Sequence, residues 1–99
     1  MSNIVSYEEV LDELKAGKAA SGLPCARVSV LLSALGFHVK DGSSGGHKTV
    51  THPHLPDFYS AGYNCRGGNN GVVDRNYLGK LIRVLTANKD AIEDFLKQR

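Results

Sequence analysis

The hydrophobic period of this chain changes twice, and that change limits the folds open to it. Val28, Leu31, Leu32 and Leu35 recur at i, i+3, i+4 and i+7, the spacing of one helical face. Gly36 follows where a left-handed C-terminal cap belongs. From Phe37 the period drops to two: Phe37-His38-Val39-Lys40 alternates apolar and polar, and Lys48-Thr49-Val50-Thr51 is a β-branched strand stopped by Pro53. Asp41 to Gly46 between them is turn chemistry, and His54-Leu55-Pro56-Asp57 is a loop. Phe58 to Cys65 reads as a weaker third strand interrupted by Gly62, and Arg66 to Gly71 as another turn. The helical period then returns. Asp74 can cap a helix whose Leu78, Leu81, Ile82 and Leu85 face the core, and the stripe extends to Ile92, Phe95 and Leu96.

A further helix precedes all of this. Ser6 and Glu9 have capping-box spacing, Val10, Leu11 and Leu14 form a stripe, and Gly17 ends it. Ser21-Gly22-Leu23-Pro24 reads as a break. The order is α-α-β-β-β-α, with a break near 86–88 and one more helix left open, which predicts an α+β fold: a three-stranded antiparallel sheet with helices on one face and the other face exposed. At 99 residues the chain suits one domain. It divides into an N-terminal helical extension (1–24), a core (25–86) and a C-terminal helix or helix continuation (87–99).

A formal net charge of +2 argues at first against an avid nucleic-acid binder, but the charge is segregated. Residues 1–14 carry −4, residues 15–89 carry +7 and residues 90–99 carry −1. A basic centre between acidic ends suits a phosphate-bearing partner; a solvated mixed surface is the plain alternative. No apolar run is long enough to cross a membrane, and the N-terminus lacks a secretory pattern. Cys25 and Cys65 do not make a disulfide framework, so they are expected as separate small buried residues in a reducing cytoplasm.

His47 is the most informative polar residue. It follows Gly45-Gly46, which admit close approach of a ligand or backbone, and it opens a rigid strand. A histidine there can take a proton from a ribose 2′-hydroxyl or protonate a leaving 5′-oxygen without a metal. A hydrogen-bonded surface histidine is the plain alternative. Lys48 is adjacent but points to the opposite face of the strand. His47, His52, His54 and Cys65 are zinc-ligand types, but odd spacing on one strand and the lack of paired motifs disfavour a metal site. His52 is expected to cap the end of its strand. Gly67-Gly68-Asn69-Asn70-Gly71 lacks the lysine and hydroxyl of a phosphate loop. Lys80 and Arg83, one turn apart, share a helix face that can meet phosphates.

Leu32-Ser33-Ala34-Leu35-Gly36-Phe37, followed by Gly45-Gly46-His47-Lys48-Thr49-Val50-Thr51-His52-Pro53, resembles the HicA (YcfA-like) toxins. Cys65-Arg66-Gly67 resembles the turn before that family's closing helix, and Tyr77 to Leu85 the helix itself. The resemblance spans about residues 27–86. It departs at Lys48, in a longer 54–73 segment, and in the helix that residues 1–24 add. The resemblance implies a fold similar to double-stranded RNA-binding domains. It implies metal-independent cleavage of mRNA that blocks translation, with no cofactor. It also implies a HicB-type antitoxin as partner, with homo-oligomerisation in the toxin–antitoxin complex an open option. The family's catalytic histidine falls on His47, Gly45 and Gly46 shape its loop, and Lys48, Arg66, Lys80 and Arg83 are the candidate RNA contacts. Two alternatives stand beside the ribonuclease: a non-catalytic RNA-binding module of the same fold, and a regulatory interaction domain working through the acidic helix 7–17.

Overall fold

The structure, a computed structural model, describes residues 6–42, 46–55, 58, 60–67 and 71–98. It is an α+β domain. Helix α1 spans Tyr7–Ala19, strand β1 Gly22–Pro24, helix α2 Cys25–Ala34, β2 His38–Asp41, β3 His47–Thr51, β4 Ala61–Asn64, β5 Val72–Asp74, α3 Arg75–Ala87 and α4 Lys89–Gln98. The order therefore has more elements than the sequence pattern predicts. Segment 21–24 is not a break: it forms β1, which pairs antiparallel with β5 in a separate two-stranded ribbon. The long closing helix is divided at Asn88, which ends α3 with its amide on the Val84 carbonyl and accepts the Ile92 amide to start α4.

The main sheet has the order β2-β3-β4, antiparallel throughout. Register pairs His38 with Thr51, Lys40 with Thr49, His47 with Asn64 and Thr49 with Gly62, so these residues share one face. Val39, Val50 and Ala61 lie on the other face, as do Lys48 and Tyr63. That second face closes on the core of Leu31, Leu32, Leu35, Leu78, Leu81 and Leu85. The third strand is shorter than expected: Phe58 stands outside it, edge-on to Phe37 at 5.6 Å.

Helix α1 is part of the core rather than an extension. Ser6 and Glu9 close the capping box, and Tyr7, Val10, Leu11 and Leu14 are buried. Tyr7 donates its hydroxyl to the Leu85 carbonyl at 2.8 Å, tying the start of α1 to the last turn of α3. Glu13 meets Arg27 of α2, and Glu8 meets Lys89 of α4 at 3.6 Å. The Arg27 hydrogen bonds hold the Glu13 carboxyl below its ordinary range. Acids that look like a free negative helix in sequence thus serve as tethers to two other helices.

The two cysteines also differ from expectation. Both are buried, but they are joined as a disulfide between the first residue of α2 and the residue after β4. Their Cα atoms are 5.5 Å apart and 40 positions apart in sequence. A crosslink closing a loop of that length removes about 4 kcal/mol of denatured-state freedom. Protein purified without reductant should show no titratable thiol when denatured, and the Cys25→Ala/Cys65→Ala variant should unfold in urea with a stability lower by about that amount.

His52 has a structural place. It is 5% exposed, its Nε2–H donates to the Leu35 carbonyl at 3.0 Å, and its Nδ1 accepts the His54 amide at 3.1 Å. Phe37 and Phe95 meet its ring edge-on. Burial pushes its pKa below the ordinary value of 6.5, and a proton on Nδ1 would break the His54 bond. The unfolded chain therefore takes up the proton more readily than the folded one. This contribution to stability is complete above pH 6.5 and is lost as pH falls below it. Urea midpoints should decline as pH drops from 7 through 6, and the decline should be shallower in His52→Gln.

Candidate active site

The first residues of β3 bring His47 to the open face of the sheet. Gly46, at φ +87°, turns the chain into the strand, and its carbonyl accepts the Cys65 amide at 2.6 Å. Gly45, the other expected loop-shaping residue, lies outside the described residues. The His47 ring lies between two glycines. A Cβ at Gly42 would stand 2.6 Å from the ring's Cδ2, and one at Gly62 would stand 3.3 Å from Cε1. The glycine that weakens β4 as a strand is therefore the one that gives the imidazole room across the sheet.

A chain of polar contacts sets the ring's orientation. His47 Nδ1 lies 2.8 Å from Asn64 Oδ1, on the directly paired residue of β4. Asn64 Nδ2 in turn donates to the Tyr77 hydroxyl of α3 at 3.2 Å. With the amide in this orientation Nδ1 carries the hydrogen and Nε2 is left with the lone pair. Asp74 caps α3 by accepting the Asn76 and Tyr77 amides at 3.0 and 3.1 Å, which fixes the turn from which Tyr77 reaches the sheet.

These residues enclose an open groove of about 690 Å³, lined by Gly46, His47, Asn64, Cys65, Arg66, Asp74 and Tyr77. Arg66 is exposed at its edge, and its backbone is pinned to Val72 by two hydrogen bonds of 2.8 and 3.0 Å. The arrangement offers a positioned imidazole and an arginine in one groove, the types of group that phosphoryl chemistry at a ribose phosphate uses.

The other expected contacts divide. Lys48 is 8% exposed and lies on the opposite face from His47, its ammonium against Asp41, so it does not join the groove. Lys40 does share the open face, diagonal to His47 through the Lys40–Thr49 pair. Lys80 and Arg83 are exposed on α3, outside the groove lining. The zinc arrangement does not form: Cys65 is bridged and His52 is bound to backbone. Among the described residues no three His, Cys, Asp or Glu side chains cluster for a metal. No helix among the described residues is long and apolar enough to cross a membrane.

Asn64, Tyr77, Gly42 and Gly62 carry no motif in the sequence and become visible only through pairing. Gly42→Ala should force the His47 ring away from Asn64. Nitrogen NMR of the imidazole would read a wild-type Nδ1–H tautomer that is lost in this variant and in Asn64→Ala, with urea midpoints reporting a stability change of about 1 kcal/mol for Asn64→Ala.

No protein-family model matches the chain, and no curated protein or solved structure matches it.

Proposed function

We propose that the chain is a HicA-like mRNA interferase, the toxin of a type II toxin–antitoxin system, with a fold of the double-stranded RNA-binding type. The observation that supports this best is His47, held by Asn64 on the open sheet face and lining one groove with Arg66. In this reading His47 Nε2 takes the proton of a ribose 2′-hydroxyl. The freed oxygen attacks the adjacent phosphorus, the 2′-O–P bond forms and the P–O5′ bond breaks. The 5′-oxygen leaves with a proton from solvent. Arg66, with Lys40 on the same face, balances the added charge on the phosphorane. The base is a side chain, so this chemistry calls for no metal. Lys80 and Arg83 serve as outer phosphate contacts.

A HicB-type antitoxin would silence such a site by covering the groove. The proposed place of action is the cytoplasm, where mRNA is met. Cytoplasmic thiols open accessible disulfides, and Cys25 and Cys65, at 2% and 3% exposure, are shielded from them.

The test is incubation of a defined RNA with purified protein in the presence of a chelator. Wild type should cleave and leave 2′,3′-cyclic phosphate ends, and His47→Ala should be slower by about 10²- to 10⁴-fold with its fold intact. Equal cleavage by the variant would overturn the role of His47. Cleavage that stops with the chelator would overturn the metal-free mechanism. Salt-sensitive binding without cleavage would make the chain an RNA-binding module instead.

A further inference from the structure

The cations that the His47 groove does not use gather elsewhere. Helices α1 and α3 pack side by side and leave between them an open cleft of about 580 Å³, lined by Lys15, Lys18, Ala19, Arg75, Asn76 and Ile82. Gly79 of α3 is buried beneath it. Lys18 Nζ lies 3.4 Å and Arg83 Nη1 3.8 Å from the point a Cβ on Gly79 would occupy. Two positive groups thus converge on one small patch of α3. Lys15, Lys18, Arg75 and Arg83 make no ion pair among the described residues.

The nearby acids are engaged or turned away. Glu13 is on Arg27 and Glu8 is on Lys89. Asp74 spends its carboxylate on the cap of α3, and Asp12, one turn before Lys15, does not line the cleft. Arg75 adds a further cost, because it stands in the first turn of α3, where the helix dipole repels a cation and Asp74, the cap, is the acid that offsets it. Like charges brought together this way favour an anion between them.

The cleft is connected to the active-site groove through α3 itself. At 100° per residue, Arg75, Gly79, Arg83, Asn76 and Lys80 lie in that order around the helix, and Tyr77, at the His47 groove, lies just past Val84 on the same side. We propose that the α1–α3 cleft is a second phosphate site for RNA: the strand whose ribose sits at His47 continues around the start of α3, and its backbone phosphates reach Lys15, Lys18, Arg75 and Arg83. This rests on the reading of the His47 groove as an RNA site. It gives α1 a direct part in substrate binding.

The experiment uses full-length His47→Ala protein, so that substrate survives, and a fluorescein-labelled 20-nucleotide single-stranded RNA. Anisotropy titrations across a range of KCl concentrations give the slope of log K against log salt. Each lost phosphate contact on a single strand lowers that slope by about 0.7, so adding Lys15→Ala and Lys18→Ala should lower it by about 1.4. Lys97→Ala, on α4, is the control and should leave it unchanged. Circular dichroism verifies that each variant is folded. An unchanged slope in the α1 variant would overturn the inference, as would the absence of RNA binding before the α1 lysines are changed. Cleavage by otherwise wild-type protein separates the two ideas. A lowered slope without cleavage supports the cleft and removes the ribonuclease reading. Cleavage with an unchanged slope does the reverse.

Discussion

A lysine ammonium is buried in a protein only when something pairs with it, and Lys48 is buried. Its partner, Asp41, lies directly opposite on β2, with a mostly exposed side chain that reaches the ammonium at the sheet's end. This pair, together with Val50 two residues on, fixes which face of β3 turns inward. A strand that slips by one residue exchanges its faces. Here a slip would strip Lys48 of its counter-ion, expose Val50 and bury His47. The outward position of the proposed catalytic residue is thus set by what its neighbour needs beneath the sheet.

The rest of the architecture supports that sheet from several directions. Helix α2 reaches it through Ser29, 3.1 Å from the Tyr63 hydroxyl. The disulfide holds the end of β4 to the start of α2, one residue beyond Asn64. Helix α3 contributes Tyr77, and its far end is held to α1 by the Tyr7 hydroxyl. The groove around His47 is assembled at the meeting point of these ties: β3 supplies the base, β4 its orienting amide, α3 the hydroxyl behind that amide, and the turn after β4 the guanidinium. The lining comes from three stretches distant in sequence: Gly46-His47, Asn64-Cys65-Arg66, and Asp74 with Tyr77.

Much of the local structure was legible beforehand. The capping box of α1 and the stripes of α1, α2 and α3 depend on residues three or four apart, and the alternation of β2 and β3 on residues two apart. Those elements appear there, although α1 runs through Gly17, where its stripe predicts an end, to Ala19. The failures have a common cause. Strands β1 and β5 are three residues each, too short to show a period, and exist because each supplies the other's hydrogen bonds. The break at Asn88 stays open in the sequence because it does not interrupt the apolar spacing: Leu85 and Ile92 remain in the core on either side of it. The cysteines carry no spacing signal, since they are 40 residues apart and meet only when α2 docks beside β4. That Lys48 faces away from His47 follows from strand alternation alone, whereas Lys40, seven residues earlier, shares the face of His47 only through strand register.

By itself the sequence determined the class of fold, the strand that bears His47, and the segregation of positive charge to the middle of the chain. Each follows from nearest neighbours along a helix or strand, or from simple addition of charge. Only the tertiary structure decided the tautomer of His47, the company of Asn64 and Tyr77, the covalent tie beside them, and the convergence of Lys18 with Arg83. These depend on register and helix packing, which join residues distant in sequence and are settled by burial of the whole core.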